Sequence, residues 1–180
     1  MPTPPFRPPQ TDRLKLVRVG PEHADDVLRC FDSEVTALME PAPLRDRAEA
    51  LAVIARFEEG RRRGRDLVFA VTLRESGEFL GIAGLHGLDS PLPELGLWIK
   101  TAAHGRHFGR EAASCLIGLA RELGLTALRY PVDRRNAASR KIPLAFGGRK
   151  TGEAPLVTPD GRRLELEFFE IPLSPAPRAT

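Results

Sequence analysis

One stretch limits the fold more than any other: Glu94-Leu-Gly-Leu-Trp-Ile, followed by Lys100-Thr-Ala-Ala-His-Gly-Arg-His-Phe-Gly-Arg-Glu-Ala-Ala. Six strand-forming residues run into a basic loop containing Gly105 and Gly109. Ala112, Leu116, Leu119, Ala120 and Leu123 then recur at helical spacing, with Gly124 as a stop, which predicts a helix over 109–123. The first turn of a helix has backbone N–H groups without intrahelical partners, at the positive end of its dipole. Such an end binds phosphate, most readily where glycine permits close approach. Arg106 and Arg110 would add charge-assisted bonds. The segment therefore predicts a diphosphate site at a strand–loop–helix junction, although a plain glycine turn before a buried helix would use similar residues. Two other phosphate loops are excluded. Gly105 and Gly109 do not fit G-x-G-x-x-G, and Gly148-Arg149-Lys150-Thr151 only echoes the end of a P-loop.

The other elements fall on either side of this segment. Leu14–Val19 alternates as a first strand, and Pro21 opens a helix with Ala24, Val27, Leu28 and Phe31 inward. A second helix is expected over 45–60, with Ala48, Leu51, Ala52 and Ala55 on its inner face. Leu67–Leu73 is a near-continuous apolar run, as in a strand covered on both faces. A turn at Glu75–Glu78 leads to a strand over Phe79–Leu85. Leu128–Val132 and Ala137–Phe146 read as a strand and a shorter helix, the latter ended by Gly147-Gly148. Thr158-Pro159-Asp160-Gly161 is the turn of a closing hairpin whose last strand is Leu164–Ile171. This order predicts one mixed α/β domain with helices on both faces of a sheet. Residues 1–10 are expected to be a disordered Pro-rich arm, 11–173 the domain, and 174–180 a loose tail.

Composition excludes several classes. With 180 residues, 42% hydrophobic and 28% charged, the chain suits one globular domain. No apolar run approaches the ~20 residues of a membrane helix, and prolines stand where a secretory signal would be apolar, so a cytoplasmic protein is expected. Cys30 and Cys115 fall at apolar helix positions and read as buried thiols rather than a disulfide. His23, His86, His104 and His107 form no metal-ligand spacing, so no metal is expected. A net charge of +3 with 6% aromatics gives no basis for direct nucleic-acid binding. The run Arg61, Arg62, Arg63 and Arg65 ends a helix, where cations meet the negative dipole end.

The central segment resembles the acetyl-CoA loop of GNAT acetyltransferases, particularly the RimJ/RimL-like branch that acts on ribosomal-protein N-termini. The resemblance rests on Glu94–Ile99, His104–Ala112, Asn136-Ala137-Ala138-Ser139, the opening Thr11-Asp12-Arg13-Leu14-Lys15-Leu16, and the Phe69–Gly84 strand pair. It covers about residues 11–172. It implies a mostly antiparallel sheet of six to seven strands flanked by about four helices, with a splayed parallel pair forming the cofactor cleft. It also implies acetyl-CoA as cofactor, a primary amine (a small molecule or a protein N-terminus) as acceptor, and a monomer or homodimer. Main-chain groups of Trp98 and Ile99 would hold the pantetheine arm. His104, Gly105, Arg106, His107, Phe108, Gly109 and Arg110 would form the pyrophosphate loop, and Asn136 would contact the cofactor. Pro131 suits a strand whose neighbour has peeled away.

Amine acetylation needs a neutral amine, and an α-amino group near pKa 7.7–8.0 loses its proton at pH 7 for only about 1 kcal/mol, against roughly 4–5 for lysine. Glu94 is the expected base, working through water, with His86 its rival; Ser139 would protonate or hydrogen-bond the CoA sulfur. Ser139 or Asn136 would also suit a helix cap. His104 and His107 depart from the family's usual arginine or glutamine and glycine. Gly148 replaces an aromatic, and Pro143 stands where many of these enzymes carry a tyrosine. Such departures leave a non-catalytic CoA-binding module as the alternative.

Overall fold

The computed structural model describes residues 8–173; the remaining residues of the expected arm and tail, 1–7 and 174–180, lie outside the described residues. At the described end of the arm, Pro9 and Gln10 fold back along the first strand. The Pro9 carbonyl accepts from Leu16 N–H at 2.9 Å, and Gln10 bridges Lys15.

Seven strands form one sheet: β1 Leu14–Arg18, β2 Leu67–Leu73, β3 Phe79–His86, β4 Glu94–Ile99, β5 Ala127–Asp133, β6 Arg149–Val157 and β7 Arg163–Pro172. Their order is β1-β2-β3-β4-β5-β7-β6. Every neighbouring pair is antiparallel except β4 and β5. The expected mixed sheet is thus realised. The helices are α1 Ala24–Cys30, α2 Ser33–Thr36, α3 Arg47–Arg62, α4 Phe108–Glu122 and α5 Ala137–Ala145, one more than expected. The extra helix, α2, is a single turn whose amides at Glu34 and Val35 are capped by the Asp32 side chain.

Alternation along the central strands sends side chains to two cores. Phe69 and Val71 of β2, with Leu80 and Leu85 of β3, pack with Leu116, Ile117 and Phe108 of α4. Val68, Ala70, Phe79 and Ile82 pack on the opposite face with Val27 of α1 and Ile54 of α3. Each fully buried Leu or Ile contributes about 2 kcal/mol, which fixes α4 beneath the middle of the sheet and α1 and α3 above it.

Two faces differ from expectation. On α3 the inward residues are Ala50, Ile54 and Gly60, with Leu51 and Phe57 half-buried, whereas Ala48, Ala52 and Ala55 are exposed. The larger Ile54 and Phe57 bury more surface, and an exposed alanine costs little. On α4, Leu123 is 49% exposed because it is already the C-cap; Gly124, at φ 79°, turns the chain away there. The arginines closing α3 are paired with its own glutamates, Arg61 with Glu58 and both Arg62 and Arg63 with Glu59.

Candidate active site

β4 and β5 touch at one register pair, Glu94 opposite Arg129, beside which Arg129 N–H donates to the Pro93 carbonyl at 2.8 Å. Beyond it no further parallel pair forms, and the strands splay. Strand alternation turns the main chain of residue 131 to the same side as that of Arg129, and Pro131 has no N–H to present there. A donor is missing where the partner strand has left.

The same alternation sorts the main chain of β4. Lys100 N–H donates to the Leu80 carbonyl of β3 at 2.7 Å, so the groups of Trp98 also face β3. The Trp98 carbonyl lies within 2.0 Å of where a Cβ on Gly81 would be. The groups of Leu97 and Ile99 face the gap, but the Ile99 carbonyl is 2.7 Å from His104 Nε2. The expectation that Trp98 offers its main chain to the cleft is therefore corrected, and that for Ile99 is narrowed to its N–H. The open groups are the Leu97 N–H and carbonyl and the Ile99 N–H.

His104 folds its ring back onto the strand that precedes it, rather than forward into the loop. His107 is the N-cap of α4 at φ 65°, ψ 14°, a left-handed conformation in which glycine is unstrained and histidine is tolerated. This accounts for a glycine being usual at that place. No side chain caps α4, whereas Asp46 caps α3 and Asn136 caps α5. The first amides of α4, at Phe108, Gly109 and Arg110, are left without intrahelical partners. Glu111, in the first turn, does not cover them: its carboxylate holds Thr11 and Arg13. Arg13 and Arg106 each lie over the Phe108 ring, with guanidinium carbons 4.7 Å from its centroid. Among the described residues Arg106 and Arg110 make no ion pair. An anion would find amides, two unpaired guanidinium groups and the exposed Gly105 there.

On the opposite side of the sheet a cavity of about 510 Å³ opens between α1, the 38–44 loop, α3 and the splayed strands. Glu94, Gly96 and Trp98 share this face by strand alternation, and all three line the cavity. Trp98 packs against Phe31 and Phe79, with ring centroids 5.0 and 5.8 Å away. Burial pushes the Glu94 carboxyl above the ordinary range, partly offset by Arg129 and His86. His86 is the register partner of Glu94. Its ring lies against Gly84 and Gly96, where a Cβ would come within 3.0 and 3.5 Å of it. Asp66 Oδ1 is 3.3 Å from His86 Nδ1 and also accepts from Gly87 N–H. That contact favours a proton on Nδ1. Gly60 of α3 makes room for Asp66, since a Cβ there would overlap its carboxylate at 2.0 Å.

At the inner end, Asn136 Oδ1 accepts from Ser139 N–H at 3.0 Å, so Asn136 is the cap of α5. The Ser139 hydroxyl is 2.7 Å from that of Tyr130. Burial pushes Tyr130 up to about 12, against the weaker opposing effect of Ser139, so the phenol keeps its proton. Tyr130 and Asp66 were not legible as site residues. Tyr130 is the only tyrosine in the chain, but its partner is nine residues away, across a turn and a helix cap. The position with no tyrosine, Pro143, is coupled to the other departure. Gly148 N–H donates to the Pro143 carbonyl at 2.8 Å, and a Cβ on Gly148 would lie 2.7 Å from that oxygen. An aromatic at 148 has no room here.

Asp133 fixes the β5–α5 turn that presents Asn136 and Ser139. Fully buried, it accepts from Arg135 N–H and Nε at 2.9 and 2.8 Å, and from Glu165 N–H at 2.9 Å. The Arg135 guanidinium holds its carboxyl down at about 2, below the ordinary 3.8. A depressed carboxylate stabilises the fold above its unfolded pKa, and that contribution is lost as pH falls from near 3.8 through about 2. Asp133→Ala is expected to cost about 2 kcal/mol at neutral pH. Urea titrations at pH 7 and pH 3 check this: the variant should lack part of the wild-type acid sensitivity.

The acetyltransferase (GNAT) domain model matches residues 13–149, more than half of the chain. The protein belongs to the GNAT acetyltransferase family. It is 27% identical over 146 residues to uncharacterized N-acetyltransferase p20 of Bacillus licheniformis, covering 79% of this chain and 82% of that protein. It is 26% identical over 147 residues to uncharacterized N-acetyltransferase YoaA of Bacillus subtilis (strain 168), covering 79% and 83%. Among solved structures, its fold matches a protein described as a ribosomal-protein-serine acetyltransferase from Vibrio cholerae, at TM-score 0.77 and 23% identity, over 94% of this chain and 99% of that one. It also matches RimL, a ribosomal L7/L12 alpha-N-protein acetyltransferase in complex with coenzyme A, at TM-score 0.78 and 11% identity, over 91% and 96%. Among the described residues no helix is long and apolar enough to cross a membrane, and no group of three or more His, Cys, Asp or Glu side chains could hold a metal ion. Both cysteines are free; Cys30 is buried and Cys115 half-buried.

Proposed function

We propose that this GNAT protein transfers an acetyl group from acetyl-CoA to a primary amine. The observation that carries the reading is the uncapped start of α4, with Arg106 and Arg110 beside it, at the mouth of the β4–β5 gap. The residues suit the cofactor. The amides of Phe108, Gly109 and Arg110 and the two guanidinium groups would hold the diphosphate, and the main chain of Leu97 with the Ile99 N–H would pair the pantetheine amides. When bound, acetyl-CoA supplies the acetyl thioester.

The chain's own groups then manage protons. Glu94, desolvated and on the cavity face, takes the proton of the amine through water. His86, held by Asp66 with Nε2 toward Gly84 and Gly96, adds a second polar group beside it. Tyr130 stays protonated; with its phenol donating to Ser139 Oγ, the serine O–H would be left to point into the gap and donate to a departing thiolate. Asn136, through its Oδ1 bond to Ser139 N–H, fixes where that hydroxyl sits.

Thermal unfolding with coenzyme A tests the reading. At about 100 times its Kd a ligand of the folded state adds about 2.7 kcal/mol, which raises Tm by about 5–10 °C for a domain of this size. Coenzyme A should give that shift and pantetheine, lacking the diphosphate, much less. Equal shifts, or none, would remove the diphosphate site. Thiol release from acetyl-CoA with an amine acceptor then separates an enzyme from a CoA-binding module.

A further inference from the structure

The walls of the acceptor cavity point to the chemical class of the amine. Phe31, Met39, Leu44, Phe57, Leu166 and Phe168 enclose most of it, and they come from the C-cap of α1, the 38–44 loop, α3 and β7. The polar groups that reach it are few, and most are already engaged. Asp133 is bound by Arg135 and two main-chain amides, Asn136 and Ser139 by one another and by Tyr130, and His86 lies against Asp66. Glu94 remains inside, and Glu40 stands exposed at the rim. No lysine or arginine lines the cavity among the described residues. The nearby Arg129 lies over the Phe168 ring, 4.0 Å from its centroid.

Each feature excludes an acceptor type. A carboxylate or phosphate on the acceptor would find no fixed cation and would lose its water without replacement. The second and third ammonium groups of a polyamine or aminoglycoside would find only Glu40, because Asp133 is already held by Arg135 and two main-chain amides and the one interior carboxylate left, Glu94, serves the reacting nitrogen. A sugar or hydroxyl-rich body would leave its donors unpaired against aliphatic and aromatic side chains. A neutral apolar body gains from the same walls, and burying a phenyl-sized group is enough for at least tenfold in affinity.

We infer that the acceptor is a monoamine whose amino group adjoins an uncharged, bulky apolar group. Two sources share this chemistry: a small arylalkyl or branched-alkyl amine, and a peptide N-terminus with a large apolar first side chain. The inference rests on the acetyltransferase reading but has its own test.

Acetyl transfer is measured with phenethylamine, phenylalaninamide, a short uncharged peptide beginning with phenylalanine, serinamide, phenylalanine, spermidine and kanamycin. The expected kcat/KM is at least tenfold higher for phenethylamine or phenylalaninamide than for serinamide, phenylalanine, spermidine or kanamycin. A peptide value equal to or above that of phenylalaninamide assigns the source to protein N-termini, and a much lower one to free amines. Equal or better use of serinamide, spermidine or kanamycin overturns the inference while leaving acetyl transfer intact. If no amine is acetylated, the enzymatic reading falls, and calorimetry on the CoA-saturated protein decides the pocket. Phenylalaninamide binding at least tenfold tighter than serinamide sustains the apolar class, and equal binding overturns it. As a second check, Leu44→Glu, on the loop before α3, should lower the phenylalaninamide-to-spermidine ratio at least tenfold; an unchanged ratio overturns the placement of the apolar group.

Discussion

Glu94→Gln is expected to lower kcat about 100-fold while leaving the affinity for coenzyme A within about twofold, since general-base groups contribute roughly 10²–10⁴. The side chain sits at the first residue of β4, on the cavity face and away from α4. The substitution keeps size and hydrogen bonding but cannot accept a proton. The pH profile gives an independent readout. A base must be ionised to act, and burial raises the Glu94 carboxyl above the ordinary 4.5. At saturating neutral acceptor, activity should therefore fall as pH drops through a value raised from the ordinary carboxylate one, and that limb, as distinct from the acceptor's own protonation, should vanish in the variant. A loss below threefold with the limb intact would move the proton to His86. In that case Asp66→Asn, which removes the carboxylate beside Nδ1, becomes the more damaging change.

Gly81→Ala is expected to destabilise the protein by about 3 kcal/mol and to weaken coenzyme A binding at least tenfold. A Cβ at Gly81 would stand 2.0 Å from the Trp98 carbonyl and 2.9 Å from Ile99 Cα. Both are main-chain atoms of β4 and cannot swing aside as a flexible side chain can. Overpacking of this kind costs about 1–3 kcal/mol, and the upper end applies where backbone must shift. The direction of the shift matters for the site. Because β4 lies between β3 and β5, moving it off β3 drives it into the gap. Urea unfolding and calorimetry check the two halves of the prediction. Loss of stability with unchanged affinity would mean that the gap width does not set binding.

The sheet and its main helices were legible in the sequence because each strand carries its own message. Leu67–Leu73 is apolar except for Thr72 and serves two cores, and the Glu94–Ala112 transition changes period within a few residues. Where large and small apolar residues compete, as on α3, spacing alone picked the alanine face over that of Ile54 and Phe57. Side-chain partners were not legible. Asp66 meets His86 only because β2 and β3 form a hairpin and Gly60 leaves a space. Tyr130 meets Ser139 only through the turn that Asp133 holds. His104, placed in the phosphate loop by position, spends its ring on the carbonyl of Ile99. Strand direction decided the main chain of β4 in the same way, turning Trp98 toward β3 and leaving Leu97 open. Such facts depend on elements meeting in space, and a linear pattern does not carry them.

The cleft also has an optical consequence. Trp98 is the chain's one tryptophan and Tyr130 its one tyrosine, and both line the same cavity. Tryptophan and tyrosine emission from this protein therefore originates within a single pocket. An amine or thioester arriving there can be followed in unlabelled protein, by stopped flow as readily as at equilibrium.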